Sequence, residues 1–188
     1  MVLDELTWPL LIAIAGIWFA PPRLPRQDGN SVRLDTGSRL MLVSPDTAFA
    51  MRSAQTQLAQ IRLGKLAAAK GSDADVRSFG KQMVDDHVKA SDQLRVVAQQ
   101  QNTTLPEVLS VKDQEAYDSL NKLSGSAFDK AYIDRVLKDH EAELKASRRE
   151  ALSGKDATIR DFASQMVLTL QDHLDRIRMI QSKIGVSR

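Results

Sequence analysis

Two twelve-residue stretches of this chain are nearly the same. Asp73-Ala-Asp-Val-Arg-Ser-Phe-Gly-Lys-Gln-Met-Val84 returns 83 positions later as Asp156-Ala-Thr-Ile-Arg-Asp-Phe-Ala-Ser-Gln-Met-Val167. The correspondence extends backwards without a gap: Gly71 falls on Gly154, Ala68 on Ala151, Ala59 on Ala142, Arg52 on Arg135, Phe49 on Tyr132, Ala48 on Ala131 and Asp46 on Asp129. A unit of about 39 residues is therefore present in two copies, and such self-similarity constrains the fold before any single motif does. Each copy reads as two helices around a glycine turn. Two copies make an all-α four-helix bundle with a crossover between the halves.

The expected boundaries follow from punctuation. Ser44-Pro45-Asp46 opens the first helix with a capping serine, a first-turn proline and an acid at the positive end of the helix dipole. Gly71 stops it. Ser72 then caps the second helix, with Asp75 three residues on as a capping box, and that helix runs to Gln101. Thr104-Leu-Pro106-Glu107 signals a short helix within a crossover spanning 102–125, ended around Gly125. The third helix runs from Ser126 to Ser153 and the fourth from Asp156 to Ile184, so the hairpins are 46–101 and 126–184.

Residues 1–45 differ in character. The run 6–20 (LTWPLLIAIAGIWFA) is strongly apolar and is followed by Pro21, Pro22, Pro25 and several arginines. It is shorter than the roughly 20 residues that cross a bilayer as a helix, and nearer to the apolar region of a secretory signal. Asp4 and Glu5 stand where a signal is ordinarily basic. The expectation is an exported or membrane-tethered protein, with a loosely docked tail as the alternative.

The helical stripes locate the chemistry. In the second helix the inward series is Val76, Gly80, Met83, position 87, Ala90, Leu94 and Val97. In the third it is Ile133, Leu137, position 140, Leu144, Ser147 and Ala151, and in the fourth Ile159, Ala163, Met166, Leu170, position 173, Ile177, Ile180 and Ile184. The odd members are His87, His140 and His173, which are all the histidines the chain has. The repeat sets Gln57 of the first helix opposite His140. At about 1.5 Å of rise per residue, the three rings fall within about one turn of each other near the middle of the bundle. Each follows an aspartate, Asp86, Asp139 or Asp172, which a 100° helical step places beside the stripe; Glu143 sits nearer the face of His140.

Several runs carry a resemblance. Met-Val-Asp-Asp-His at 83–87, Leu-Gly-Lys-Leu-Ala at 63–67, Ser-Gly-Ser-Ala-Phe-Asp-Lys-Ala-Tyr at 124–132, Asp-His-Glu at 139–141 and Gln-Asp-His-Leu at 171–174 resemble bacterial domain of unknown function family 4142 over about residues 46–180. The resemblance implies a ferritin-like four-helix bundle, often behind a signal or membrane anchor, and no established activity. Gln60 and Arg62 depart from the family's pattern in the first helix, where acidic residues are usual.

Two functions from different classes remain open. One is a non-enzymatic binding or structural module in which Gln57, His87, His140 and His173 form a buried polar layer that fixes helix register. The other is a metalloprotein or oxidoreductase using His87, His140, His173 and Glu143 for zinc, copper, iron or a haem-like group. A ferritin-like di-iron centre requires Glu three residues before histidine on two helices; Val84 and Leu170 stand there instead. A third reading, an assembly module, competes with the expectation of a monomer or weak dimer whose protein partner the sequence does not name. The absence of cysteine removes thiolate nucleophiles and Cys-ligated metals. A net charge of +2 without a basic cluster speaks against nucleic acid. No serine triad and no glycine-rich phosphate loop is present. Met83 and Met166 read as core, Tyr132 as the packing equivalent of Phe49, and Lys145, Arg148 and Arg149 as a solvated face.

Overall fold

A computed structural model describes residues 43–185, which belong to one compact unit. The apolar run 6–20 lies outside the described residues. Five helices form: α1 (Pro45–Lys70), α2 (Ala74–Gln100), α3 (Val111–Asn121), α4 (Gly125–Ser153) and α5 (Ala157–Ile184). The pairs α1–α2 and α4–α5 pack as hairpins, joined across the bundle by α1 against α4 and α2 against α5, while short α3 lies on α1 and α4. Among the described residues no helix is long and apolar enough to cross a membrane.

The two hairpin turns are closed by a reciprocal exchange. Asp129 of α4 is buried and accepts the N–H groups of Ser72 (3.0 Å) and Asp73 (2.9 Å) and the Ser72 hydroxyl (2.5 Å) at the α1–α2 turn. Its repeat counterpart Asp46 of α1 does the same at the α4–α5 turn, accepting from Lys155 N (2.7 Å) and Asp156 N (2.5 Å). Each carboxylate thus satisfies donors that the first turn of a helix leaves orphaned, on the opposite hairpin. Arg77 and Arg160 complete the copies, donating to the carbonyls of Gly71 and Ser72 and of Gly154 and Lys155 respectively.

Asp46 stands in the first turn of α1 behind the Ser44 cap, as expected, and serves the far hairpin as well. Two other local expectations give way. Ser72 is not the cap of α2: its N–H and hydroxyl are spent on Asp129, and Asp73 takes the capping position, accepting from Asp75 N at 2.7 Å. The short helix does not begin at Thr104-Pro106-Glu107 but at Val111, capped by Ser110, whose Oγ accepts from Asp113 N. Gln55 donates to the Val108 carbonyl and ties the intervening strand of chain to α1.

At one crossing the backbones nearly touch. A Cβ on Gly80 would stand 2.6 Å from Ala68 N and 2.8 Å from Gly64 O, and one on Gly64 would stand 2.8 Å from Gly80 O. The two glycines let α1 and α2 approach more closely than any side chain would permit.

The apolar core is in two pieces. One cluster joins the C-terminal half of α1 and the start of α2 to the start of α4 and the end of α5, around Leu63, Phe79, Met83, Tyr132, Val136 and Ile177. The other fills the opposite end around Phe49, Leu94, Phe162, Met166 and Leu170. Between them lies a layer that is polar.

Candidate functional site

Histidines from three helices meet in that layer. His87 of α2, His140 of α4 and His173 of α5 have relative exposures of 1, 0 and 0%. Their ring centroids stand 5.5 Å (His87–His140), 5.4 Å (His87–His173) and 5.3 Å (His140–His173) apart. The remaining long helix, α1, supplies Gln57, also at 0%.

Hydrogen-bond partners decide which ring nitrogen carries a proton. His140 Nδ1 lies 2.8 Å from the Val136 carbonyl, an acceptor only, so Nδ1 carries the hydrogen and Nε2 keeps its lone pair. His87 Nδ1 lies 2.6 Å from Gln57 Oε1. The amide is placed with its Nε2 donating to Ser53 Oγ (3.2 Å) and Glu143 Oε1 (3.0 Å). In that orientation Nδ1 of His87 is a donor too, and its Nε2 is buried with no partner. His173 Nε2 lies 3.1 Å from Asp86 Oδ2, and a carboxylate accepts. The other nitrogen of His173, Nδ1, lies 3.2 Å from His140 Nε2, within hydrogen-bond distance.

Each ring is thus held from outside through one nitrogen, and the other nitrogens of His140 and His173 face each other inside the layer. Two lone pairs facing each other at 3.2 Å repel unless positive charge, a proton or a metal ion, lies between them. One nitrogen from each of the three rings can be chosen so that all lie within 4.8 Å of one another. Two imidazoles bound at about 2.0–2.1 Å to one tetrahedral ion have nitrogens about 3.3 Å apart. The His140–His173 pair, at 3.2 Å, already has that spacing. An N–H given to a carbonyl or a carboxylate is also the outer-shell arrangement that orients metal-bound histidine.

Burial enforces the neutral state of two rings. It holds His87 well below its usual range, assisted by the nearby His140 and His173, and brings His140 down to about 3, with the neighbouring His173 acting in the same direction. Glu143 is affected oppositely. Burial raises it to about 8 against the bonds from Ser53 and Gln57, so it is a neutral acid near pH 7.

Of the residues singled out from sequence, Gln57, His87, His140 and His173 share one layer. Glu143 is adjacent but separated from the rings: it meets Gln57 and Ser53, and its Oε2 has no partner. Asp86, expected only to flank the stripe, reaches across to the histidine of another helix. Ser53 was not visible as a member. Of the other two aspartates, Asp139 takes Arg135 at 2.6 Å and Asp172 takes Gln82 at 3.2 Å, so neither joins the rings. The inward face of α4 departs in part from the expected series: Ile133, His140 and Ser147 are buried as expected and Val136 and Glu143 are buried too, while Leu137, Leu144 and Ala151 are only half-buried.

The model of the DUF4142 domain, a domain of unknown function, matches residues 33–180. No curated protein matches the chain. Among solved structures, a DUF305 fragment from Deinococcus radiodurans superposes with a TM-score of 0.65 at 12% identity, covering 76% of this chain and 97% of that one. A DUF305 protein from Streptomyces coelicolor gives 0.65 at 12% identity over 76% and 95%. A dodecameric thioferritin, the bacterioferritin-related protein of Bacteroides fragilis, gives 0.58 at 15% identity over 74% and 84%. These likenesses establish the fold, a ferritin-like all-helical bundle, and nothing about chemistry.

Proposed function

The chain belongs to the DUF4142 family, and we propose that this member is a metal-binding bundle in which His87, His140 and His173 hold one transition-metal ion between two halves of an apolar core. One observation supports the reading above the others: three buried imidazoles, each held from outside by a hydrogen bond, bring one nitrogen apiece within 4.8 Å of one another. Histidine in its neutral form is the commonest protein ligand for such ions. Elemental analysis of untagged protein purified without added metal tests it. The expected result is close to one metal per chain, lost in His140→Ala; metal-free native protein that also refuses added metal would refute it.

The buried Ser53–Gln57–Glu143 network favours a second reading, in which the layer is structural and fixes helix register without an ion. Under it, His140→Ala changes stability but there is no metal content to lose.

A further inference from the structure

A cleft of about 280 Å³ opens between α1 and α4, with the start of α3 at its rim. Its walls are built from repeat pairs: Arg52 with Arg135, Thr56 with Asp139, and Gln60 with Glu143. We propose that this cleft binds a small hydroxy carboxylic acid, with the ligand's carboxylate at Arg52 and its hydroxyl at Gln60. The site stands apart from the metal-binding reading, because none of the three histidines lines the cleft.

The two arginines occupy equivalent places and carry different loads. Arg135 donates to Asp139 at 2.6 Å and, across to α3, to Asp113 at 2.9 Å, so two carboxylates answer one guanidinium. In the other copy Thr56 stands where Asp139 would be, and Arg52 makes no ion pair among the described residues. Glu150 is near enough to feel the charge of Arg52 without meeting it. Lys112, the other cation on the cleft, is exposed and also unpaired among the described residues. A guanidinium offers paired donors that match a carboxylate, so an anionic ligand at Arg52 restores the pairing its twin has. The same two cations repel an amine. Deeper in the cleft two oxygens lack partners. Gln60 is 0% exposed and gives its Nε2 to Asp139 at 3.3 Å, which leaves Oε1 a buried acceptor without a donor. Glu143 spends Oε1 on Ser53 and Gln57, and its Oε2 is unpartnered. Buried polar atoms in that state are costly, and a hydroxyl, donor and acceptor at once, relieves them. It donates to Gln60 Oε1; Glu143 Oε2 accepts from a second hydroxyl, or donates to the first where the acid is protonated. The cleft lies just under the usual range of ligand pockets, about 300–1,000 Å³, which limits the ligand to a few carbon atoms.

The test is calorimetric titration of the full chain with a matched series of three-carbon molecules: glycerate, propionate, which lacks the hydroxyls, and glycerol, which lacks the carboxylate. Glycerate is expected to bind one per chain, and each of the others at least about tenfold more weakly. Arg52→Gln, on an exposed side chain, and Gln60→Met, of similar shape, should each weaken glycerate at least about tenfold with the helical circular dichroism unchanged. The Arg52→Gln result stands alone should Gln60→Met fail to fold. Glycerate captured by an ion at the rings would bind Arg52→Gln as well as it binds the parent chain, and that outcome overturns the cleft. So does equal affinity for glycerate and propionate, or no binding of glycerate at millimolar concentration. Neither substitution touches a histidine, so metal content should stay that of the parent chain, and the cleft and the metal-binding reading fail separately.

Discussion

The ends of this bundle and its middle tell different histories of one duplication. At the ends the copies are interchangeable: Asp46 and Asp129 cap each other's hairpins, and Arg77 and Arg160 clamp equivalent turn carbonyls. In the middle the copies have parted. Gln57 answers to His140 and Gln60 to Glu143, while His87 has Leu170 as its counterpart and His173 has Ala90. Residues that hold hairpins together were retained twice, and the residues of the layer were kept once each, on whichever helix completes a single asymmetric centre. A two-fold fold has thus come to enclose a site without two-fold symmetry.

The largest effect should come from the conserved symmetry of the ends. Asp46→Ala and Asp129→Ala each leave part-buried N–H donors without their acceptor, and each should cost about 2 kcal/mol in chemical denaturation, since bonds to charged groups contribute about 1.5–3 kcal/mol. Costs that differ by more than about 1 kcal/mol would break the equivalence of the two turns.

The middle should show its asymmetry in pH. His140 falls from an unfolded value near 6.5 to about 3, so its contribution is present above 6.5 and is lost as pH falls toward 3; His87 acts in the same direction. Glu143 rises from 4.5 to about 8, so its contribution is complete below 4.5 and is lost as pH climbs to 8. Two histidines outweigh one carboxyl below pH 6.5, so stability should peak near pH 6.5 and fall on the alkaline side by at most about 1.4 kcal/mol per pH unit, the slope for one proton. Glu143→Gln should flatten the limb between pH 6 and 8 and leave the acid limb in place. An alkaline limb that persists in that variant would place the responsible group elsewhere.

Much of this was legible beforehand, and the illegible part has a common cause. The duplication gave the helices, and a period near 3.6 put Gln57 and the three histidines on inward faces at one height, because stripe and rise are properties of a single helix. Partners across the bundle were hidden. Asp46 looked like an ordinary first-turn acid because nothing local reveals that the other hairpin's turn lies over it. Asp86 looked peripheral because its own histidine is turned away by 100°, while the ring it serves belongs to α5. Glu143 was expected beside the rings; Gln57 stands between, its amide spanning the gap from α1. The Ser72 cap was misread for the same reason, since the competing acceptor Asp129 is 57 residues away in the chain.

The most direct test of the central claim is a measurement of imidazole tautomers by long-range nitrogen–proton correlation NMR on metal-free protein near pH 7.5. Both His87 and His140 are predicted to carry their proton on Nδ1, with Nε2 bare, the form that is the less common one for free histidine in water. Added metal should then shift Nε2 of these two rings and Nδ1 of His173. A proton found on Nε2 of either His87 or His140 would mean that no inward cluster of lone pairs exists, and the proposed centre would have no ligands.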